Sequence, residues 1–351
     1  MKQKSLTGKT LHVKASKSPK VKHLTDRIKI DEINAKILKI LLKDSRTSFT
    51  DIAKICHISV GAVKMRYKHL WKVGVINGEI MQVNPYGLGY NCVGNIGINT
   101  STEHEEALME SLKKRAPLTI TMRAWAKYNV GLIVVKKNIE DWVAELRRLD
   151  STPHIKRVDP LIWIDGPILD HPENLVIKPF ENSKFEFIID ATPSVNRAEQ
   201  TKMDDTDRQI AKILTHSSRT SFRQIAKQLG ISTKKVIQRY KKLRENILIV
   251  STVTLDLKKL GYNASTFIFL KCDRSKMAEI SKTILQMPNI LVFYRAIGSY
   301  DLVAVCALED FNDFIRLQKQ VRVMQGVEQI EFFITPIFPA WPANIFASLL
   351  D

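Results

Sequence analysis

The sequence has little of what several protein classes require. Its four cysteines, Cys56, Cys92, Cys272 and Cys306, are scattered. They form no Cys-x-x-Cys pair and have no histidine at metal-ligand spacing, so neither a disulfide framework nor a zinc site is signalled. They read as small core residues. No apolar run approaches the roughly 18 residues needed to span a bilayer, and Met1 to Lys22 lacks the apolar block of a secretory signal. A soluble, cytoplasmic protein with no membrane partner is expected. No Gly-x-Ser-x-Gly elbow, phosphate-binding glycine loop or paired His-Glu ligand set occurs, so no catalytic residue, metal ligand or cofactor is nominated.

What is present is basic charge on an ordinary globular background. The 351 residues are 44% hydrophobic and 26% charged, enough apolar content for sizeable cores and enough length for two to four domains. Lys and Arg number 54 against 36 Asp and Glu, a net charge of +18 that favours a polyanionic partner, nucleic acid before anionic membrane.

The chain is also a duplication. Residues 31–70 recur at 204–243: Ser45-Arg46-Thr47-Ser48-Phe49 as Ser218-Arg219-Thr220-Ser221-Phe222, Ile52-Ala53-Lys54 as Ile225-Ala226-Lys227, and Arg66-Tyr67-Lys68 as Arg239-Tyr240-Lys241. After a one-residue slip, Leu88-Gly89-Tyr90-Asn91 returns as Leu260-Gly261-Tyr262-Asn263. Residues 1–24 carry Lys2, Lys4, Lys9, Lys14, Lys17, Lys20 and Lys22 without an acid and read as a disordered basic arm. Residues 166–201, with Pro167, Pro172, Pro179 and Pro193, read as a linker in which Phe185 to Ile189 has strand character.

Within each repeat the periodicity first reads as helix. Ile33, Ile37, Ile40 and Leu41 follow the cap Asp31, Ser48 caps a short second helix, and Ser59 caps a third in which Val63, Tyr67 and Leu70 share a face. Ser221, Ser232, Val236, Tyr240 and Leu243 repeat the pattern. Asn77-Gly78, between Val75-Ile76 and Ile80 to Val83, predicts a β-hairpin wing after the third helix. The second copy, Ile247 to Leu255, lacks Asn-Gly.

Strand and helix signals then alternate as βαββαβ: strands 92–98, 119–126, 130–135 and 157–164 with helices 103–114 and 140–149, and again strands 265–270, 291–297, 302–307 and 327–334 with helices 277–286 and 311–323. The expected fold is α+β: winged helix-turn-helix domains at 25–88 and 202–260, each followed by a ferredoxin-like βαββαβ domain, at 89–165 and 261–351. Such sheets leave one face open, so pairing between units is expected.

In the third helix the face opposite Val63, Tyr67 and Leu70 carries Gly61, Lys64, Met65 and Lys68, flanked by Arg66. Its counterpart carries Lys234, Ile237, Gln238 and Lys241, with Lys235 and Arg239 beside them. Facing a major groove, the cations neutralise phosphates irrespective of sequence, Gln238 suits an adenine edge, and Arg66 or Arg239 a guanine. Ser59 and Ser232 begin these helices. Arg46 and Arg219 admit two readings, a phosphate contact or a structural hydrogen bond to a helix end.

Asp31, Ile37-Leu38, Arg46, Ile52-Ala53-Lys54, Ile58-Ser59, Val63, Leu70, Gly74-Val75-Ile76, Leu88-Gly89-Tyr90 and their second-copy equivalents together resemble the Lrp/AsnC family of archaeal and bacterial transcription regulators. The resemblance covers both units and implies double-stranded DNA as partner, a nucleoid-associated location, self-association through the βαββαβ domains and an amino-acid-like effector. A tandem chain of archaeal type resembles a covalently linked family dimer. The family's effector turn, Gly-x-Tyr-Asp, is matched by Gly298-Ser299-Tyr300-Asp301, which places Gly298, Tyr300 and Asp301 in an effector site. Their other reading is a hairpin turn with an Asx-type bond. Ala126-Lys127-Tyr128-Asn129 departs from that pattern, His57 replaces the family's glycine between helices two and three, and Asn246-Ile247 replaces its Gly-Val.

Three functions compete: a specific DNA-binding regulator without catalysis, an architectural DNA-binding protein built from the same residues, and an enzyme. The last arises because a branch with this domain pairing resembles siroheme decarboxylases. Their histidines belong where this sequence has Val292 and Gly298, or Ile120 and Ala126.

Overall fold

The computed structural model describes residues 27–114, 119–123, 127–165, 169–179 and 200–351. The basic arm and the strand expected at Phe185 to Ile189 lie outside these residues. In the first unit the elements are α1 (Glu32–Lys43), α2 (Phe49–Cys56), α3 (Val60–Lys72), β1 (Ile76–Val83), β2 (Cys92–Thr100), α4 (Thr102–Lys113), β3 (Thr119–Arg123), β4 (Val130–Lys136), α5 (Ile139–Asp150) and β5 (Ile155–Trp163). The second unit repeats them as α6 (Asp205–His216), α7 (Phe222–Leu229), α8 (Thr233–Asn246), β6 (Leu248–Leu255), β7 (Ala264–Cys272), α9 (Met277–Leu285), β8 (Ile290–Gly298), β9 (Leu302–Leu308), α10 (Phe311–Arg322) and β10 (Val327–Pro336).

The helix starts follow from capping chemistry. Asp31, Ser48 and Ser59 accept from the backbone N–H three residues on, satisfying donors a helix cannot pair internally. Asp204, Ser221 and Ser232 do the same in the second unit. α2 ends on His57 and α7 on Gly230, both left-handed, at φ 54° and 66°.

One sequence expectation fails here. The Asn-Gly pair does not turn a hairpin wing. β1 runs straight through Asn77 and Gly78 and pairs antiparallel with β6 of the other unit, from Ile76 opposite Leu255 to Val83 opposite Leu248. The irregularity that Asn-Gly introduces is a register shift between Ile76 and Gly78. Asn77 accepts from the Thr254 hydroxyl (2.7 Å), and its amide donates to the Pro339 carbonyl (2.9 Å). The bonds of a local turn are replaced by bonds to chain more than 170 residues away.

The remaining strands form one sheet in the order β10-β7-β9-β8-β5-β2-β4-β3, two βαββαβ units joined edge to edge where Leu161 to Trp163 pair with Gly298 to Ala296. Alternation sorts the faces. Ile96 and Ile98 point to Leu108, Leu112, Trp142 and Leu149 of α4 and α5. Ile268 and Leu270 point to Ile280, Ile284, Phe314 and Leu317 of α9 and α10. The other faces, with Val93, Leu161 and Trp163 from one half and Tyr294, Tyr300 and Val303 from the other, share a core.

The helical units are exchanged between halves. Ile37, Leu38 and Leu41 of α1 pack with Val253, Leu255, Leu257, Tyr262 and Leu291 of the second unit. Ile210, Ala211 and Leu214 of α6 pack with Met81, Val83 and Tyr86 of the first. Each such buried aliphatic chain contributes about 1.5–3 kcal/mol, so neither helical unit has a complete core without the opposite half.

The stretch read as a linker is partly built in. Leu169 and His171 bond β8 through Phe293 N (3.0 Å) and Leu291 O (2.8 Å), and Leu175 and Ile177 are buried under α1. The buried Lys39 ammonium donates to the carbonyls of Pro172 and Glu173 at 3.2 and 3.1 Å. The chain end does the matching work on α6, with Leu349 and Leu350 in its core.

Candidate nucleic-acid interface and the sheet junction

α3 and α8 each bury one side, Val63 with Leu70 and Val236 with Leu243, and turn the other to solvent. Gly61, Lys64, Met65 and Lys68 are exposed on α3, and Lys234, Lys235, Ile237, Gln238 and Lys241 on α8. Met65 is 66% exposed, an apolar side chain offered to solvent in the middle of a basic stripe. Ser59 and Ser232 are fixed as caps by Ala62 N (3.1 Å) and Lys235 N (3.2 Å).

The four arginines of the sequence reading are committed elsewhere. Arg66 reaches back to Asp31 (2.5 Å) and Asn34 (3.0 Å), tying α3 to the start of α1. Arg239 does the same with Asp204 and the buried Asp207, at 2.7 Å each. The hydrogen bond from Arg239 holds the Asp204 carboxyl below the ordinary carboxylate range. These guanidiniums tie α3 and α8 to the starts of α1 and α6.

Arg46 and Arg219 form a reciprocal clasp between the helical units. Arg46 donates to the carbonyls of Ser218 and Thr220 (3.2 Å) and lies 4.6 Å over the Phe222 ring. Arg219 donates to Ser45 and Thr47 (2.9 Å) and lies 4.5 Å over Phe49. Buried hydroxyls of Ser45 and Ser218 meet at 2.6 Å between them. Both side chains thus bond backbone carbonyls of the opposite helical unit. Cation–π contact and bonds to carbonyls suit a planar guanidinium and would not transfer to lysine.

At the other candidate site, the turn is bound into the sheet junction. Gly298 has φ 153°, and a Cβ there would lie 2.3 Å from the Pro160 carbonyl, so the glycine permits the close approach of β8 to β5. Asp301 accepts from Lys271 Nζ and Cys272 N, both at 3.0 Å. Tyr300 is buried against Phe269, with ring centroids 5.2 Å apart; burial, reinforced by the neighbouring Glu331, raises its phenol pKa.

Sequence reasoning missed Asp159 of β5, buried in this junction. It accepts from Tyr128 and from Ser299 (2.5 Å), with Lys127 at 3.7 Å. It also missed a cavity between the half-sheets, where Asn95 accepts from Trp163 Nε1 (2.5 Å) and Tyr294 OH (2.8 Å) and where Gln82 donates to Asp170 (2.6 Å). These residues come from both halves and from the stretch read as a linker, so no local motif marks them.

Two helix-turn-helix units clasped together above paired βαββαβ domains define a class of double-headed helix-turn-helix proteins. The AsnC-type helix-turn-helix domain matches residues 30–70 and 203–244, and the Lrp/AsnC ligand binding domain matches residues 265–335. The chain belongs to the Lrp/AsnC family of helix-turn-helix transcriptional regulators. It is 33% identical over 129 residues to an uncharacterised HTH-type transcriptional regulator of Pyrococcus furiosus, covering 36% of this chain and 87% of that one. Over 85 residues it is 45% identical to the HTH-type transcriptional regulator LrpA of Pyrococcus abyssi, covering 24% and 60%. Among solved structures, the siroheme decarboxylase NirDL is similar over 91% of this chain and 97% of its own, with a TM-score of 0.60 at 15% identity. At that identity the likeness is one of fold.

Among the described residues no helix is long and apolar enough to cross a membrane. No group of three or more His, Cys, Asp or Glu side chains among them is placed to hold a metal ion.

Proposed function

We propose that the protein is a DNA-binding transcription regulator that reads duplex DNA with α3 and α8 held as a fixed pair, and that it performs no catalysis. The observation that carries this reading is the pair of capped helices with exposed basic stripes, joined by the Arg46–Arg219 clasp. Lys64, Lys68, Lys234, Lys235 and Lys241 are assigned to phosphates and Gln238 to a base edge. Gly61 and Met65 meet the groove at close range, and Ser59 and Ser232 present the helix starts. Arg46, Arg66, Arg219 and Arg239 serve as scaffold. In this reading the reading heads are residues 25–88 and 202–260, and residues 89–165 and 261–351 pair within the chain and with further copies.

The enzyme reading is supported by fold likeness to NirDL alone. Val292 and Gly298 stand where the sequence resemblance would place that branch's histidines, and no histidine is among the described residues that line the cavity between the half-sheets.

Selection of bound fragments from a random duplex pool, followed by salt titration of the winner, tests the proposal. Two half-sites at one spacing are expected for a specific regulator, binding without enrichment for an architectural protein, and no binding overturns both. Replacing Lys64 and Lys68 together by Ala should weaken all sequences alike and flatten the log-log salt slope by about 1–2. Gln238→Ala should instead change preference at one or two base positions, with the slope unaltered.

A further inference from the structure

The cavity between the half-sheets has a volume of about 330 Å³, at the small end of the range for pockets that hold small molecules. Its wall is mostly apolar and includes six aromatic side chains. Trp163 and Tyr294 come from the two joined edges and Phe267 from β7, while Phe338, Trp341 and Phe346 come from the C-terminal segment. That segment is anchored over the opening by Trp341, which exchanges backbone hydrogen bonds with Leu255 at 2.8 and 3.0 Å. Asn344 completes the cover by donating to the carbonyls of Met81 (2.8 Å) and Thr215 (3.0 Å).

One acidic group lines this cavity, Asp170. Its Oδ2 accepts from the neutral Gln82 amide at 2.6 Å, and it forms no ion pair with another of the described residues. Its titratable neighbours are His171 and Glu173 on its own segment, bonded to each other at 2.9 Å; Gln82 and Trp341, packed against it from β1 and the C-terminal segment, carry no charge. Burial pushes the Asp170 carboxyl up to about 6. A carboxylate in an apolar wall is costly unless a cation pairs with it. The faces of aromatic rings attract the same cation.

We propose that this cavity is a binding site for an organic amine, an ammonium group on a compact apolar or aromatic body, with the ammonium on Asp170 and the body against Trp163, Tyr294 and Phe267. A ligand that also carries a carboxylate is disfavoured, because it would set a second negative charge in a wall that has no Lys or Arg among its described residues. The site is separate from the turn at Gly298 to Asp301, and it stands whether or not α3 and α8 read DNA.

Isothermal titration calorimetry of the full chain at pH 8 tests the assignment with phenethylamine, its neutral isostere 2-phenylethanol, and phenylalanine, which adds a carboxylate to the same amine. Phenethylamine should bind one per chain, at least 10-fold tighter than the other two, and should weaken at pH 5, where Asp170 is protonated. Asp170→Asn, which keeps the shape and the Gln82 contact, should erase the preference for amine over alcohol. Val305→Phe, which fills the cavity from β9, should abolish binding while the thermal midpoint shows that the chain still folds. Absence of amine binding, equal or tighter binding of the alcohol or of phenylalanine, or unchanged binding in either variant would each overturn the proposal.

Discussion

His57 holds a left-handed conformation at the end of α2, at φ 54°, where the second copy has Gly230 at 66°. A side chain there costs about 1–2 kcal/mol that glycine does not incur. His57 is exposed, so its removal forfeits little packing. His57→Gly should therefore stabilise the protein by about 1 kcal/mol in urea denaturation, and Gly230→Ala, in open space, should cost about as much. Equal stability of both variants and the parent would show that this turn relaxes freely. Asp170 makes a residue-scale prediction of opposite character. A folded carboxyl raised from 3.8 to about 6 binds its proton more tightly than the unfolded chain does. Its contribution is most favourable below pH 4 and is lost as pH rises through 6, a span of about 3 kcal/mol. Asp170→Asn should accordingly raise stability by up to about 3 kcal/mol at pH 8 and by little at pH 4, in melts across that range.

The β1–β6 ribbon shows which elements are legible in sequence and which are not. Helices and strands announce themselves by period, and the caps at Asp31, Ser59 and Ser232 lie where their side chains required them. The βαββαβ order follows from the same alternation. What a strand pairs with is another matter. Asn77-Gly78 has the chemistry of a two-residue turn, but the choice between turning back and running on depends on Thr254 and Pro339, far away in sequence. The same limit hid Asp159, Asp170 and the arginine clasp, whose partners are contributed by the opposite half or by chain without periodicity. The ribbon is testable through its tightest point. A Cβ on Gly78 would lie 2.3 Å from the Thr254 hydroxyl oxygen but 3.5 Å from its Cβ. Gly78→Ala should cost about 1–3 kcal/mol, and Thr254→Ala should recover part of that loss in the double variant, a coupling read from a four-way denaturation cycle. Strict additivity would show that the ribbon yields at this point without strain.

At the scale of the whole molecule, the repeat in the sequence suggests two beads on a string, whereas the structure exchanges their parts. The core of α1–α3 contains Val253, Leu255 and Tyr262, the core of α6–α8 contains Met81, Val83 and Tyr86, and the sheet is continuous across the β5–β8 edge. Separating the two repeats from each other would open every one of these contacts at once, since each helical unit would keep its own helices and lose the strand that covers them. Unfolding one repeat would expose the other's core in the same way. The full chain should therefore melt in one transition, with calorimetric and van't Hoff enthalpies in agreement. Residues 27–179 and 200–351 produced separately should each lack a cooperative melt and should regain one when mixed in equal amounts. Two resolved transitions in the intact chain, or a half that melts cooperatively by itself, would show that the exchanged contacts add little and that the heads are free to choose their own spacing.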